Sequence, residues 1–145
     1  MMIEKNSLEL HTEVVAPTLR LLGGKNGWDS VETAYQDALA ELHGGSPSDA
    51  ITDAGAALQE ALEAAGCTGN ALGPLITDAK KRGLLGNHDS RMTHAIEDLM
   101  HWMSSDRSTM GDAHHATDAK PEDAWLTVHV VGALIIRLAA STSRQ

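Results

Sequence analysis

The sequence predicts an all-α protein, an up-and-down bundle of five to six helices in a single domain that covers residues 1–145. Three observations favour this fold. Apolar residues make up 42% of the chain, but only three Trp, one Tyr and no Phe are present, so the core must be aliphatic. Apolar positions recur at the three- and four-residue spacing of a helical face. Gly, Pro, Asn and Asp separate these segments, and no convincing strand is found.

Three helices are predicted in the first half of the chain. The first covers about 7–22, where Pro17 is expected to mark a kink or a boundary. The second, over about 29–43, has the clearest apolar face. The third starts near Pro47, because Pro suits a first helical turn, and ends at Gly66. The residues expected to face inward in the second and third helices are Val31, Ala34, Tyr35, Ala38, Leu39, Leu42, Ile51, Ala54, Leu58, Ala61, Leu62 and Ala65.

Three more helices are predicted in the second half. They cover about 71–82, 90–104 and 121–140, and the last begins at a second proline suited to a first turn. Each carries an apolar stripe. The inward positions are Leu72, Leu75, Ile76, Ala79, Met92, Ile96, Leu99, Met103, Trp125, Val128, Val131, Leu134, Ile135 and Leu138.

Charge and cysteine content restrict the class of protein. A formal net charge of −9 argues against a protein that coats nucleic acid through bulk positive potential, and no DNA partner is expected. One cysteine, Cys67, cannot form an internal disulfide, which favours a cytoplasmic location. The longest apolar run near the C-terminus, VVGALII, is too short to span a bilayer, and no signal peptide is seen. We therefore expect a cytoplasmic protein with no membrane partner.

One short segment, RSTMGDAH, combines groups suited to phosphate chemistry. It runs from Arg107 to His114. A guanidinium can bind a phosphate through two hydrogen bonds and stabilise its developing charge, while an imidazole can transfer protons near neutral pH. The alternative is an ordinary polar loop, in which Arg107 pairs with Asp106 or Asp112 and His114 is solvated.

The order of three segments gives this loop a context. They are VETAYQDALAELHGGSPSDAITDAGAALQEALEAAG, PLITDAKKRGLL and RSTMGDAHHATDAKPEDAWLTVHVVGALIIRL. Together they resemble the abortive-infection C-terminal (Abi-C) branch of the HEPN superfamily, over about 28–138. The R-x6-H spacing of Arg107 and His114 is similar to the R-x4–6-H signature of HEPN domains.

The resemblance implies a HEPN-like homodimer in which Arg and His from both subunits face one cleft. Active members are metal-independent endoribonucleases, often toxins or phage-defence effectors that act beside an antitoxin or another defence protein. Arg107 would contact the scissile phosphate of an RNA substrate, and His114 would act as general acid or base. The supporting candidates are Ser108, Asp112, His115 and His101. No cofactor or metal is expected.

Two alternatives remain open from the residues. The first is a non-catalytic HEPN-like module that binds RNA or protein, favoured by the net charge and by two departures from the family pattern, Ser108 and His115. The second is a metal-dependent phosphohydrolase, since His94, Asp98 and His101 share one helical face.

Two further features of the sequence have simpler explanations. A basic cluster, Lys80, Lys81, Arg82 and Arg91, would guide RNA or, more simply, form a solvated helix end. Cys67 is expected to be an unreactive thiol.

Overall fold

The structure is a computed structural model, and it describes residues 15–86, 91, 93–101 and 119–143. These residues form helices and the turns between them, with no strand among them. The predicted all-α bundle of five to six helices is confirmed. The helices of the described ranges are α1, Ala16–Gly23; α2, Asp29–His43; α3, Pro47–Ala64; α4, Leu72–Lys81; α5, 93–101; and α6, Pro121–Ser143.

Helix α3 lies at the centre of the bundle and contacts α2, α4 and α6. Its buried side is built largely from small residues, which let the neighbouring helices approach closely while three larger side chains fill the gaps between them. The buried residues of α3 are Ala50, Ile51, Ala54, Gly55, Ala57, Leu58, Ala61 and Leu62.

Helix α6 forms the second long wall of the core and contacts α1, α2 and α3. Its buried hydrophobic residues are Ala124, Val128, Val131, Leu134, Ile135, Leu138 and Ala139. The buried hydroxyl of Thr18 on α1 donates a hydrogen bond to the carbonyl of Gly132, 3.4 Å away. Polar and apolar contacts therefore hold the same face of α6 against the bundle.

The apolar character of α6 extends well beyond the VVGALII run. Over Pro121–Thr142 the helix has the length and composition of a membrane-spanning segment, so the short run alone understated how apolar this part of the chain is. Half of that segment is buried inside the bundle. The inward half of such a helix is what the core of a helical bundle requires.

Helices α2 and α4 end at glycines with positive φ. Gly45 has φ +80°, and the amide of Ser46 beyond it donates to the carbonyl of Glu41. Gly83 has φ +73°, and the amide of Leu84 donates to Ala79 in the same way. This left-handed cap satisfies carbonyls at the helix end and is accessible to glycine at little cost. It turns the chain sharply into the next segment.

The predicted inward faces of α2, α3 and α4 are confirmed, since their residues are buried or pack against the core. Pro17 lies in the first turn of α1, and the part of the predicted first helix before residue 15 lies outside the described residues. The prediction for Leu99 is wrong, because that side chain is 38% exposed. The prediction for Ile96 is confirmed, since it packs against the core, and Met100 is buried in place of Leu99. The predicted Met92 and Met103 lie outside the described residues. Trp125 was predicted to face inward but is only half-buried.

Candidate functional site

The segment 102–118, which connects α5 to α6, lies outside the described residues. It contains five of the six residues predicted for the site, namely Arg107, Ser108, Asp112, His114 and His115. The two helices that carry the ends of this connector are described. These two helices determine where the connector begins and ends.

Hydrophobic packing fixes both ends of the connector. Met100, near the end of α5, is fully buried, and so is Ala124 in the first turn of α6. Ala119, just before α6, is partly buried and packs against the same core. Since a buried side chain cannot leave the core without exposing apolar surface, the connector begins and ends at positions set by the bundle.

The sixth predicted site residue, His101, is exposed at the described end of α5. His94 and Asp98 are also exposed, so this face of α5 lies opposite the buried Met100. The Nδ1 atom of His94 lies 3.8 Å from a carboxylate oxygen of Glu97. No group of three potential metal ligands occurs within the described ranges. The metal-site interpretation of the His94 face therefore has no support from the geometry.

Two cations of the basic cluster are paired with carboxylates. The Lys80 ammonium lies 3.1 Å from Glu97, which ties α4 to α5. The Arg82 Nε donates a hydrogen bond to Asp78 at 2.8 Å within the end of α4. These pairs offset part of the positive charge that would otherwise attract RNA. The simpler prediction, a solvated helix end, agrees with this arrangement.

Asp78 also organises the loop that precedes α4. Its Oδ2 accepts a hydrogen bond from the backbone amide of Thr68 at 2.8 Å, in addition to the bond from Arg82. The hydrogen bond from the Thr68 amide makes the largest contribution to lowering the pKa of Asp78, and the hydrogen bond from the Arg82 guanidinium lowers it further. The neighbouring Cys67 is buried, and burial raises the pKa of its thiol, with a further contribution from Asp78. A raised pKa disfavours the reactive thiolate, in agreement with the predicted unreactive cysteine.

An aromatic pair lies near the start of α6, beyond the connector. The rings of Trp125 and His129 are 4.3 Å apart at an angle of 41°, and both residues are half-buried. The Nδ1 atom of His129 lies 2.6 Å from the carbonyl oxygen of Trp125. Between them in sequence, Leu126 is 51% exposed. The start of α6, just after the segment 102–118 in sequence, thus presents partly exposed aromatic and aliphatic surface.

Comparison of the chain with protein-family models, with curated proteins and with solved structures found no match. The assignment to the HEPN superfamily therefore remains a prediction from the order and spacing of the motifs.

One functional candidate was missed by reasoning from the sequence. Arg137 is the only Lys, Arg, Asp or Glu between Asp123 and Arg144, within an otherwise apolar helix. Its guanidinium lines a groove at the C-terminal half of α6. The signal in the sequence is a lone cation inside an apolar run. Such a residue is unusual, because an isolated charge is costly to bury without a partner.

Proposed function

We propose that this chain is a metal-independent endoribonuclease of the HEPN type, acting in the cytoplasm as a toxin or phage-defence effector. The observation that carries the proposal is the Arg107 to His114 motif, placed between a helix and the long amphipathic helix α6. The burial of Met100 and Ala124 supports it, because catalytic groups on loops need fixed attachment points.

The reaction uses the ribose hydroxyl as nucleophile. His114 removes the proton of the 2′-hydroxyl, and the resulting oxygen attacks the adjacent phosphorus. The bond from phosphorus to the 5′-oxygen of the next nucleotide breaks, and that oxygen takes up a proton. The products are a 2′,3′-cyclic phosphate and a 5′-hydroxyl. Arg107 binds the phosphate oxygens and stabilises the negative charge that accumulates on them in the transition state.

A homodimer would supply both an acid and a base. A single imidazole must change its protonation state between the two transfers, whereas a second copy of His114 across a two-fold axis provides the other proton at once. The proposed site is therefore shared between two chains. An antitoxin or another defence protein would control access to it.

The test is RNA cleavage by the purified full chain in EDTA. The wild type is expected to cleave, and Arg107→Ala or His114→Ala is expected to lower the rate by about 100-fold or more. Arg20→Ala and His43→Ala serve as matched controls, since both side chains are exposed on other helices. Wild-type levels of cleavage in the Arg107 and His114 variants would refute the site assignment.

The chemistry of the product separates this mechanism from metal-dependent hydrolysis. RNA with a single 2′-deoxynucleotide at the cleaved position should resist cleavage, because the nucleophile is missing. Fragments should carry a 2′,3′-cyclic phosphate. Cleavage that stops in EDTA and returns with a divalent ion would instead indicate a metal enzyme.

The second candidate function is a non-catalytic HEPN-like module that binds RNA or a protein partner. The pairing of Lys80 with Glu97 and of Arg82 with Asp78 favours the protein-binding form of this module, since these pairs weaken the local positive potential that RNA binding requires. This alternative predicts no cleavage, together with a cellular effect that survives Arg107→Ala and His114→Ala.

A further inference from the structure

A groove with a volume of about 470 Å³ lies between the C-terminal half of α6 and the turn that follows α4. This volume falls within the range typical of small-molecule sites. Its lining combines apolar and polar residues, namely Gly83, Gly86, Ala133, Ile136, Arg137, Ala140 and Ser141. Ala133, Ile136 and Ala140 form an apolar wall along one side of α6, and Arg137 provides the only charged group among the lining residues.

The Arg137 side chain is fixed in place but incompletely satisfied. Its Nη2 donates a hydrogen bond of 2.6 Å to the carbonyl of Leu85, and Ser141 holds the same turn through a 3.2 Å bond to Leu84. The Nε atom of Arg137 is buried and has no hydrogen-bond partner in the described part of the chain. A buried polar atom without a partner is uncommon in folded proteins, so the hydrogen-bonding capacity of this guanidinium is only partly used within the described residues.

Arg137 differs from the neighbouring cations in its lack of a carboxylate. Lys80 is neutralised by Glu97 and Arg82 by Asp78, whereas no ion pair to Arg137 is formed within residues 15–86, 91, 93–101 and 119–143. A guanidinium in a groove, restrained by one carbonyl and without a counter-charge among the described residues, is suited to binding an oxyanion.

We propose that this groove binds a small amphiphilic anion. A carboxylate or phosphate monoester group would lie against Arg137, and a short aliphatic body would lie along Ala133, Ile136 and Ala140. Both parts of the ligand follow from the lining, since a fully polar anion would leave the apolar wall uncovered and an uncharged lipid would leave the guanidinium unpaired.

The groove lies away from the end of α6 that follows the segment 102–118. Arg137 lies sixteen residues beyond Pro121 on one continuous helix, which corresponds to about 24 Å along its axis. The anion site does not depend on RNA cleavage, and its failure would leave the proposed function untouched.

The test uses four probes against the full chain: inorganic phosphate, hexyl phosphate, hexanoate and the uncharged hexanol. Binding is followed by the midpoint of thermal unfolding and by ligand-observed NMR at constant ionic strength. Hexanoate or hexyl phosphate should stabilise the wild type more than hexanol or phosphate alone, and the stronger of the two identifies the preferred head group. Arg137→Gln should weaken that ligand by about tenfold or more.

Ala140→Leu provides a second variant that leaves Arg137 intact. Ala140 is exposed on α6, so the larger side chain fills the groove without entering the core, and the bound anion should be lost. Ala40→Leu, at an exposed position of α2, is the matched control and should bind as the wild type does. Equal stabilisation of the wild type and Ala140→Leu by the preferred anion would overturn the proposal, and so would hexanol stabilising the wild type as much as both hexanoate and hexyl phosphate do.

Discussion

The phenol of Tyr35 donates a hydrogen bond of 3.2 Å to the carbonyl of Val128, although 93 residues separate the two in sequence. Both residues are fully buried. The bond joins the middle of α2 to the N-terminal half of α6 and adds one directional polar contact to the packing of these two helices. Burial also raises the pKa of Tyr35 well above its ordinary value, because the charged phenolate would have to be placed among apolar side chains.

Removing this hydroxyl should destabilise the bundle modestly. Tyr35→Phe keeps the ring and its packing, so the expected loss is about 1 kcal/mol of the free energy of unfolding. Urea denaturation followed by circular dichroism measures this. Gln36→Ala, at the exposed neighbouring position of α2, is the control and should change stability little. A Tyr35→Phe protein as stable as the wild type would show that the Val128 carbonyl gains nothing from the bond.

Alkaline pH should unfold the protein in step with ionisation of this tyrosine. The folded state holds the phenolic proton more tightly than the unfolded state, so the stabilisation is complete below about pH 10 and is lost as the pH rises above that value. Tyr35 is the only tyrosine, and tyrosinate absorbance near 295 nm therefore reports on it alone. Tyrosinate should appear together with the loss of helical circular dichroism. Its appearance at about pH 10 in a still-folded protein would contradict the buried environment.

The interior of the bundle was largely predictable from the sequence. In α2 and α3 the apolar residues recur at helical spacing over four turns or more, and a long amphipathic segment has only one orientation that buries them. The ends of these helices were also predictable, since Gly45 and Gly66 supply the left-handed caps that follow them.

The shorter α5 and the start of α6 were harder to predict. In α5 the apolar positions allow two stripes that differ by one residue, and contact with the core selects Met100 over Leu99. In α6 the predicted inward residues from Val128 to Leu138 are buried, but Trp125 is only half-buried, because most positions of this helix are apolar and the pattern does not fix where the buried stripe begins. The groove beside Arg137 depends on the turn after α4, a contact between segments over 50 residues apart that periodicity does not contain. The predicted Arg107 and His114 site lies outside the described residues and stays a prediction.

Asp53 should be a destabilising residue at neutral pH. Partial burial raises the pKa of Asp53, and the negative charges of Asp37, Glu41 and Asp49 raise it further. The folded state therefore binds the Asp53 proton more tightly than the unfolded state, and stability increases as the pH falls from neutral through the raised pKa. Asp53→Asn removes the charge, and after allowance for solvent screening it should stabilise the protein at pH 7 by about 0.5 kcal/mol or less.

Salt and a neighbouring carboxylate provide the controls for this prediction. The gain from Asp53→Asn should shrink in 1 M salt, because screening already weakens the repulsion in the wild type. Glu60→Gln, on the same helix but outside this acidic group, should give no comparable gain. The measurement is the melting temperature of the wild type, Asp53→Asn and Glu60→Gln at pH 7, at low and high salt. A drop in the melting temperature of Asp53→Asn would show that its carboxylate makes a favourable contact instead.

The proposed homodimer should be sensitive to the exposed leucines that flank the connector. Leu99 is 38% exposed on α5 and Leu126 is 51% exposed on α6, one on either side of the segment 102–118. If two chains meet around that segment, a charge at Leu126 would have to be buried in the interface at considerable cost.

Light scattering should give twice the chain mass of 15.4 kDa for the wild type and a shift toward the monomer for Leu126→Glu. Ala40→Glu, at an exposed position of α2, should stay dimeric. A monomeric wild type at all concentrations would exclude the composite site, whereas a dimer that Leu126→Glu leaves intact would place the interface on another face of the bundle.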